Sequence, residues 1–87
     1  MKQFKLYTED KNFIGVVLPA IKARFKSFTI WEASGFWKGE DENSIVIEII
    51  APAIEAEKVY AVAREIKMHN KQQAVLVTVQ EVEMQLV

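Results

Sequence analysis

The sequence predicts an α+β domain with the element order strand, helix, strand, strand, helix, strand. Three observations carry that prediction. Alternation of apolar and polar residues at period two recurs in four separate segments, and two intervening segments carry apolar stripes at helical spacing. The connections between them are only a few residues long, with no linker, internal repeat or low-complexity tract. At 87 residues the chain has the size of one domain, residues 1–87, with 51% hydrophobic and 26% charged residues as in ordinary globular proteins.

The first strand is Lys2–Thr8, in which Phe4 and Leu6 alternate with Gln3, Lys5 and Tyr7. Asp10 or Asn12 is then placed to cap a helix whose buried stripe is Ile14, Val17, Leu18, Ile21 and Phe25. Pro19 lacks the N–H that an α-helix interior needs, so a kink or a restart is expected there.

The second strand is Thr29–Lys38, with Trp31, Ala33 and Trp37 on one parity and Gly35 as an interruption that signals a bulge or a close backbone approach. Gly39–Asn43 reads as a polar hairpin loop. The following segment, Ser44–Ala51, is apolar on both parities except at Glu48, which predicts a central strand.

Pro52, Glu55 and Glu57 suit the start of a second helix with the stripe Ile54, Val59, Val62, Ala63 and Ile66, and Lys67, His69 and Lys71 suit its end. The last segment, Gln73–Val87, predicts one long strand, buried on both faces in its first half and on one face in its second. Short connections and right-handed crossovers then give a ferredoxin-like βαββαβ sandwich: a four-stranded antiparallel sheet with both helices on one face.

Two helices shield only one side of such a sheet. Ile45, Ile47 and Ile49 point one way and Val46 and Ile50 the other. With Trp31, Trp37 and the valines of the last strand added, the uncovered side exceeds the apolar patch that a monomer ordinarily exposes. A homo-oligomer, a dimer or larger, is expected to cover it through sheet faces or C-terminal strands.

Composition narrows the functional classes. With 11 basic and 12 acidic residues the net charge is −1, which gives no field for a phosphate backbone, so no nucleic-acid partner is expected. The absence of cysteine removes disulfides and thiolate chemistry. No apolar run approaches membrane-spanning length, so neither membrane association nor a signal segment is expected, and a cytoplasmic location fits. No nucleophile elbow or glycine-rich phosphate loop occurs. One histidine stands alone, and Glu40–Glu42 reads as a solvated turn rather than a cation site. No catalytic group, metal or cofactor is expected.

Trp31 and Trp37 read first as core or interface residues. The alternative has them stacking a purine or another planar anion, with Arg24, Lys38 and Lys71 balancing its charge and Gly35 letting the backbone approach. On that basis the expected function is a non-enzymatic, oligomeric sensor or sequestering protein that holds a small anionic or nucleotide-like ligand at a subunit interface. Two alternatives stand beside it. One is an assembly module that pairs through its last strand. The other is a cofactor-independent enzyme of the dimeric α/β-barrel type, with Glu32, Glu48 or His69 as the acid–base group.

Thr29, then Ala33-any-Gly35-any-Trp37, the Lys38-Gly39 turn, Glu42 and Ser44 before an apolar strand, and Gln73, Val75 and Leu76 after the second helix form a pattern. It resembles a family of small bacterial and phage proteins classed as a domain of unknown function. The likeness spans about two-thirds of the chain and departs at Pro19. It implies a ferredoxin-like fold and carries no reaction with it.

Overall fold

The computed structural model describes all 87 residues. Its elements are β1 (Lys2–Glu9), α1 (Leu18–Lys22), β2 (Thr29–Trp37), β3 (Glu40–Ala51), α2 (Ala56–His69) and β4 (Leu76–Glu81). The strands form one antiparallel sheet in the order β2-β3-β1-β4, the expected ferredoxin-like α+β arrangement. Register follows the apolar pattern. Phe4 faces Ile49, Leu6 faces Ile47 and Thr8 faces Ile45, so one face carries a continuous row of buried side chains, apolar but for Thr8 at its end. Val17, Ala20 and Ile21 from the first helical segment pack on that row with Val59, Val62, Ala63 and Ile66 from α2.

Pro19 breaks the first helix as its chemistry requires. Phe13–Val17 wind as a π-helical turn, and α1 restarts with Pro19 in its first turn, where no intrahelical donor is needed. The wider winding turns Ile14 outward to 73% exposure, against its expected place in the stripe. Asn12 takes the expected N-cap position, and its carbonyl accepts from the Val16 and Val17 N–H groups, but its side chain makes no capping bond. The residue adopts a left-handed conformation, φ 52°, and its side chain bonds Asn70 instead. Ile54 also leaves its expected stripe, because residues 53–55 form a 3₁₀ turn ahead of α2 and expose it to 88%.

Two strand boundaries differ from expectation. The β2–β3 connection is not a five-residue loop but the two residues Lys38 and Gly39, both with positive φ (50° and 83°), and β3 begins at Glu40. Paired left-handed residues are what a tight turn between twisted strands demands, and glycine meets that demand at its second position. The fourth strand covers six residues rather than about fourteen. Its partner β1 supplies no residue before Lys2, which faces Glu81, and the ladder ends with the Val82 N–H donating to the Met1 carbonyl. The chain has no helix long and apolar enough to cross a membrane.

Candidate ligand-binding site

Register also fixes the second face. Tyr7, Trp31, Val46, Ile50, Trp37 and Leu76 share it with Lys5, Glu9, Glu42, Glu48 and Thr78. It is thus mixed rather than continuously apolar, and Val77 and Val79 of β4 lie on the helix face instead, opposite Leu6 and Phe4, with Val75 just before the strand sharing their parity. Val46 is nevertheless buried, 3% exposed, with no helix over it; it faces Trp31 across the β2–β3 pair and Tyr7 across the β1–β3 pair. Two aromatic neighbours do there what a helix does on the other side.

The β2–β3 hairpin runs past the end of β1, since Ser44 is the last β3 residue that β1 pairs with. Beyond that point the arm reaches the segment leading into β4: the Trp37 indole N–H approaches the Gln73 side-chain oxygen at 3.5 Å. A cleft of about 350 Å³ opens between arm and segment. Tyr7, Phe36, Trp37 and Leu76 provide aromatic and apolar walls, and Glu9 and Glu42 are its charged groups. Ser44 donates to Glu42 at 3.2 Å and so orients that carboxylate. Gly35 lies on the floor in unbroken register opposite Glu42, without a bulge. A Cβ there would sit 3.1 Å from the Ser44 oxygen, so the close approach is the reason for glycine.

The wall opposite the hairpin is held from behind by a buried polar knot. Thr8 donates to the Gln72 side-chain oxygen at 2.7 Å, and the Asn70 amide donates to that same oxygen at 3.2 Å and to the Lys11 carbonyl at 2.9 Å. The Lys11 ammonium closes the loop on the Asn70 carbonyl at 2.8 Å. No buried side-chain polar atom in the chain lacks a partner. The knot joins the end of β1 to the end of α2, one residue before Gln73, and so sets where the cleft wall stands.

Of the six residues expected to bind ligand, Gly35 and Trp37 line this cleft. Lys38 follows them in the exposed turn, and Trp31 sits two rungs from Gly35 on the same face. Arg24 lies on the helix side, ion-paired to Glu65 at 2.8 Å, and Lys71 follows α2 beside Arg64 and Lys67, so neither cation joins the aromatic pair. Glu32, Glu48 and His69 are likewise on separate parts of the surface: Glu32 at the β2 edge, Glu48 opposite Lys5, His69 exposed at the end of α2. Phe36 and Glu42 belong to the Gly35–Asn43 hairpin that the sequence reading also placed near a ligand, whereas Tyr7, Glu9 and Gln73 are lining residues it did not assign. Glu42 and Gln73 carried a signal, as members of the hairpin-and-helix pattern; Tyr7 and Glu9 became visible only through strand pairing.

No protein-family model matches the chain, and neither does any curated protein. Solved structures do. A DUF3240 family protein from Shewanella baltica OS155 superposes with a TM-score of 0.74 at 13% sequence identity, over 99% of this chain and 94% of that one. A phage SAM lyase in its apo state superposes with a TM-score of 0.71 at 19% identity, over 91% of this chain and 78% of that one. Identities this low establish a common fold and nothing finer.

Proposed function

We propose that this domain binds a small, cationic, nucleoside-like molecule in the cleft between the β2–β3 hairpin and Gln73–Val77, and acts as a sensor or sequestering protein. The observation that carries the reading is the pairing of aromatic walls, Tyr7, Phe36 and Trp37, with Glu9 and Glu42 as the charged lining groups. A planar base stacks on such walls, and a positive charge gains from both the ring faces and the carboxylates. The anion expected from the sequence would meet two like charges there with no cation among the lining residues to offset them. The cleft also has the form usual for small-molecule sites, concave, largely apolar and with a few convergent polar groups.

A second reading, an enzyme acting on such a cation, is favoured by one observation: a neighbour of the same fold is a SAM lyase, and S-adenosylmethionine is an adenine-bearing sulfonium. The same molecule therefore tests both readings. Thermal shift is measured with S-adenosylmethionine, with S-adenosylhomocysteine, which keeps the base but lacks the sulfonium charge, and with AMP, which is anionic. The expected order of stabilisation is S-adenosylmethionine first and AMP last. At a hundredfold excess over Kd a ligand adds about 2.7 kcal/mol, and Trp37→Ala and Glu42→Gln each remove most of the shift. A larger shift with AMP, or none with any of the three, overturns the cationic reading. Loss of S-adenosylmethionine from the mixture over time, absent in Glu42→Gln, turns the conclusion to the enzyme.

A further inference from the structure

Two unpartnered features meet on the outer side of β4. The strand is a sheet edge, paired only with β1, so alternate N–H and C=O groups of Leu76–Glu81 face outward without a strand to bond. The edge has few of the usual safeguards: LVTVQE contains neither lysine nor proline, its register with β1 runs without a bulge, and its one charge, Glu81, stands at the end of the strand paired to Lys2. Beside it runs a groove of about 300 Å³ between β4 and α2, with Tyr60, Ala63, Val75 and Val77 as its apolar floor and Arg64 and Lys67 as its rim. Lys67 makes no ion pair, and Arg64 only a solvent-exposed one with Glu57 at 3.9 Å.

The second feature is the segment after the strand. Val82, Glu83, Met84, Gln85, Leu86 and Val87 continue the alternation of a strand, but they lie beyond the Lys2–Glu81 pair at which the ladder with β1 stops. Met84 is 47% and Leu86 91% exposed. Glu83 has no ion-pair partner within the chain.

We propose that residues 82–87 of a second copy add antiparallel to the outer edge of β4, each copy giving its segment to the other across a twofold axis perpendicular to the sheet. Such an axis leaves the helices of both copies on one side, so residues opposite each other across the junction have the same parity. Val75, Val77, Val79, Glu81 and Glu83 have the parity of the helix face, and Ala74, Leu76, Val82 and Met84 that of the open face. Registers centred on Val79 or Gln80 therefore set Glu83 of one copy opposite Val75 or Val77 of the other, above the groove and beside Arg64 and Lys67. In the same registers Val82 or Met84 meets Leu76 on the open face. Acid meets base on one side of the junction and apolar meets apolar on the other. This is strand addition with the sequence of the added strand, the charge of the groove and the free edge all on one chain.

Sedimentation velocity on the full chain and on a chain ending at Glu81, from micromolar to millimolar concentration, tests the proposal. The full chain approaches twice its own mass; the shortened chain, with an unchanged circular dichroism spectrum, stays at one. Glu83→Lys and Lys67→Glu are exposed changes that leave folding intact. Each acts at two symmetric sites and weakens the dimer by about tenfold in Kd. Mixing the two variants restores tight association, because both junction contacts in the mixed dimer again join opposite charges. A full chain that keeps the mass of one copy throughout overturns the proposal. So does a shortened chain that still dimerises, or a mixture no tighter than its components. A dimer that survives shortening but is lost in Trp31→Ala places the contact on the open face and overturns it equally.

Discussion

On the helix side of the sheet Phe4, Leu6, Ile47 and Ile49 are at most 1% exposed, whereas on the other side Val46 is buried between Tyr7 and a Trp31 that is itself 39% exposed, with Ile50 at 39% and Trp37 at 47% farther along the face. The same strands build both surfaces. The helix side closes because two helices bring a second layer of aliphatic side chains to it; the open side has only its own aromatics to lean over the sheet. The difference separates two tasks. Close packing supplies most of a small domain's stability and leaves no room for anything else, while half-covered aromatics cost little stability and leave ring faces and carboxylates available to a ligand.

Truncating one residue on each face gives the sharpest test of that division. Ile47→Ala removes a fully buried side chain beneath two helices and is expected to cost about 2–5 kcal/mol in denaturant unfolding. Val46→Ala, the neighbouring residue on the opposite face, removes less volume from a site covered by two partly exposed side chains, Tyr7 and Trp31. Its cost should be about 1–2 kcal/mol. Equal losses would mean that the open face is as tightly packed as the core and that the contrast drawn from exposure is wrong.

Asn70 probes the junction between the faces. It is 1% exposed and donates to the Lys11 carbonyl and the Gln72 side chain. Asn70→Ala leaves Gln72 and the Lys11 carbonyl with fewer partners, a loss of about 1–3 kcal/mol. Because Gln72, which Asn70 holds, directly precedes Gln73 in the cleft wall, the same change should weaken ligand-induced stabilisation by more than Val46→Ala does. A stability loss with no effect on the ligand would show that the knot holds the loops together but does not set the cleft wall.

The contrast between faces was largely legible in the residue pattern. Phe4 and Leu6 against Gln3 and Lys5, and Ile45, Ile47 and Ile49 against Val46 and Ile50, gave both the strands and their sides. What period two leaves open is where pairing stops. The segment Gln73–Val87 reads as strand along its whole length, yet only six of its residues are in the sheet, because strand length depends on the neighbour and β1 begins at Lys2, opposite Glu81. Lys38 and Gly39 formed the turn alone because a left-handed pair suffices for a hairpin, so the polar residues after them were free to be strand. The cleft was half legible: Trp37 and Gly35 stand out as types, but Glu9 and Glu42 reach one place only through register, and Arg24 is drawn away by Glu65, forty-one positions along the chain.

Gly35→Ala makes a finer test of the open face. The added methyl would lie 3.1 Å from the Ser44 oxygen, which must give by a few tenths of an ångström and so loosens its bond to Glu42. The fold should lose less than about 1 kcal/mol, since φ at this position lies outside the left-handed region and one part-buried hydrogen bond is at stake. Ligand-induced stabilisation should fall more than intrinsic stability does. If both fall together, the glycine serves the sheet rather than the cleft.

The smallest expected effect lies where the helix face runs out of helix. Lys2 and Glu81 face each other at the end of the β1–β4 ladder, and the lysine ammonium lies 2.6 Å from the carboxylate. The hydrogen bond from Lys2 and its charge hold the Glu81 carboxyl below its ordinary value, with the N-terminal ammonium at 3.6 Å adding to the effect. A carboxyl whose pKa is lower folded than unfolded binds its proton more readily in the unfolded chain, so its stabilising contribution is complete above the unfolded value and disappears as pH falls through the folded one. Melting curves of the parent and Glu81→Gln should therefore differ slightly near neutrality and converge in acid, below the ordinary carboxylate range. The difference should also shrink with added salt, because both groups are in water. A gap that persists unchanged in acid would mean that the glutamine alters strand pairing itself, and that this end of the helix face is held by the ladder rather than by charge.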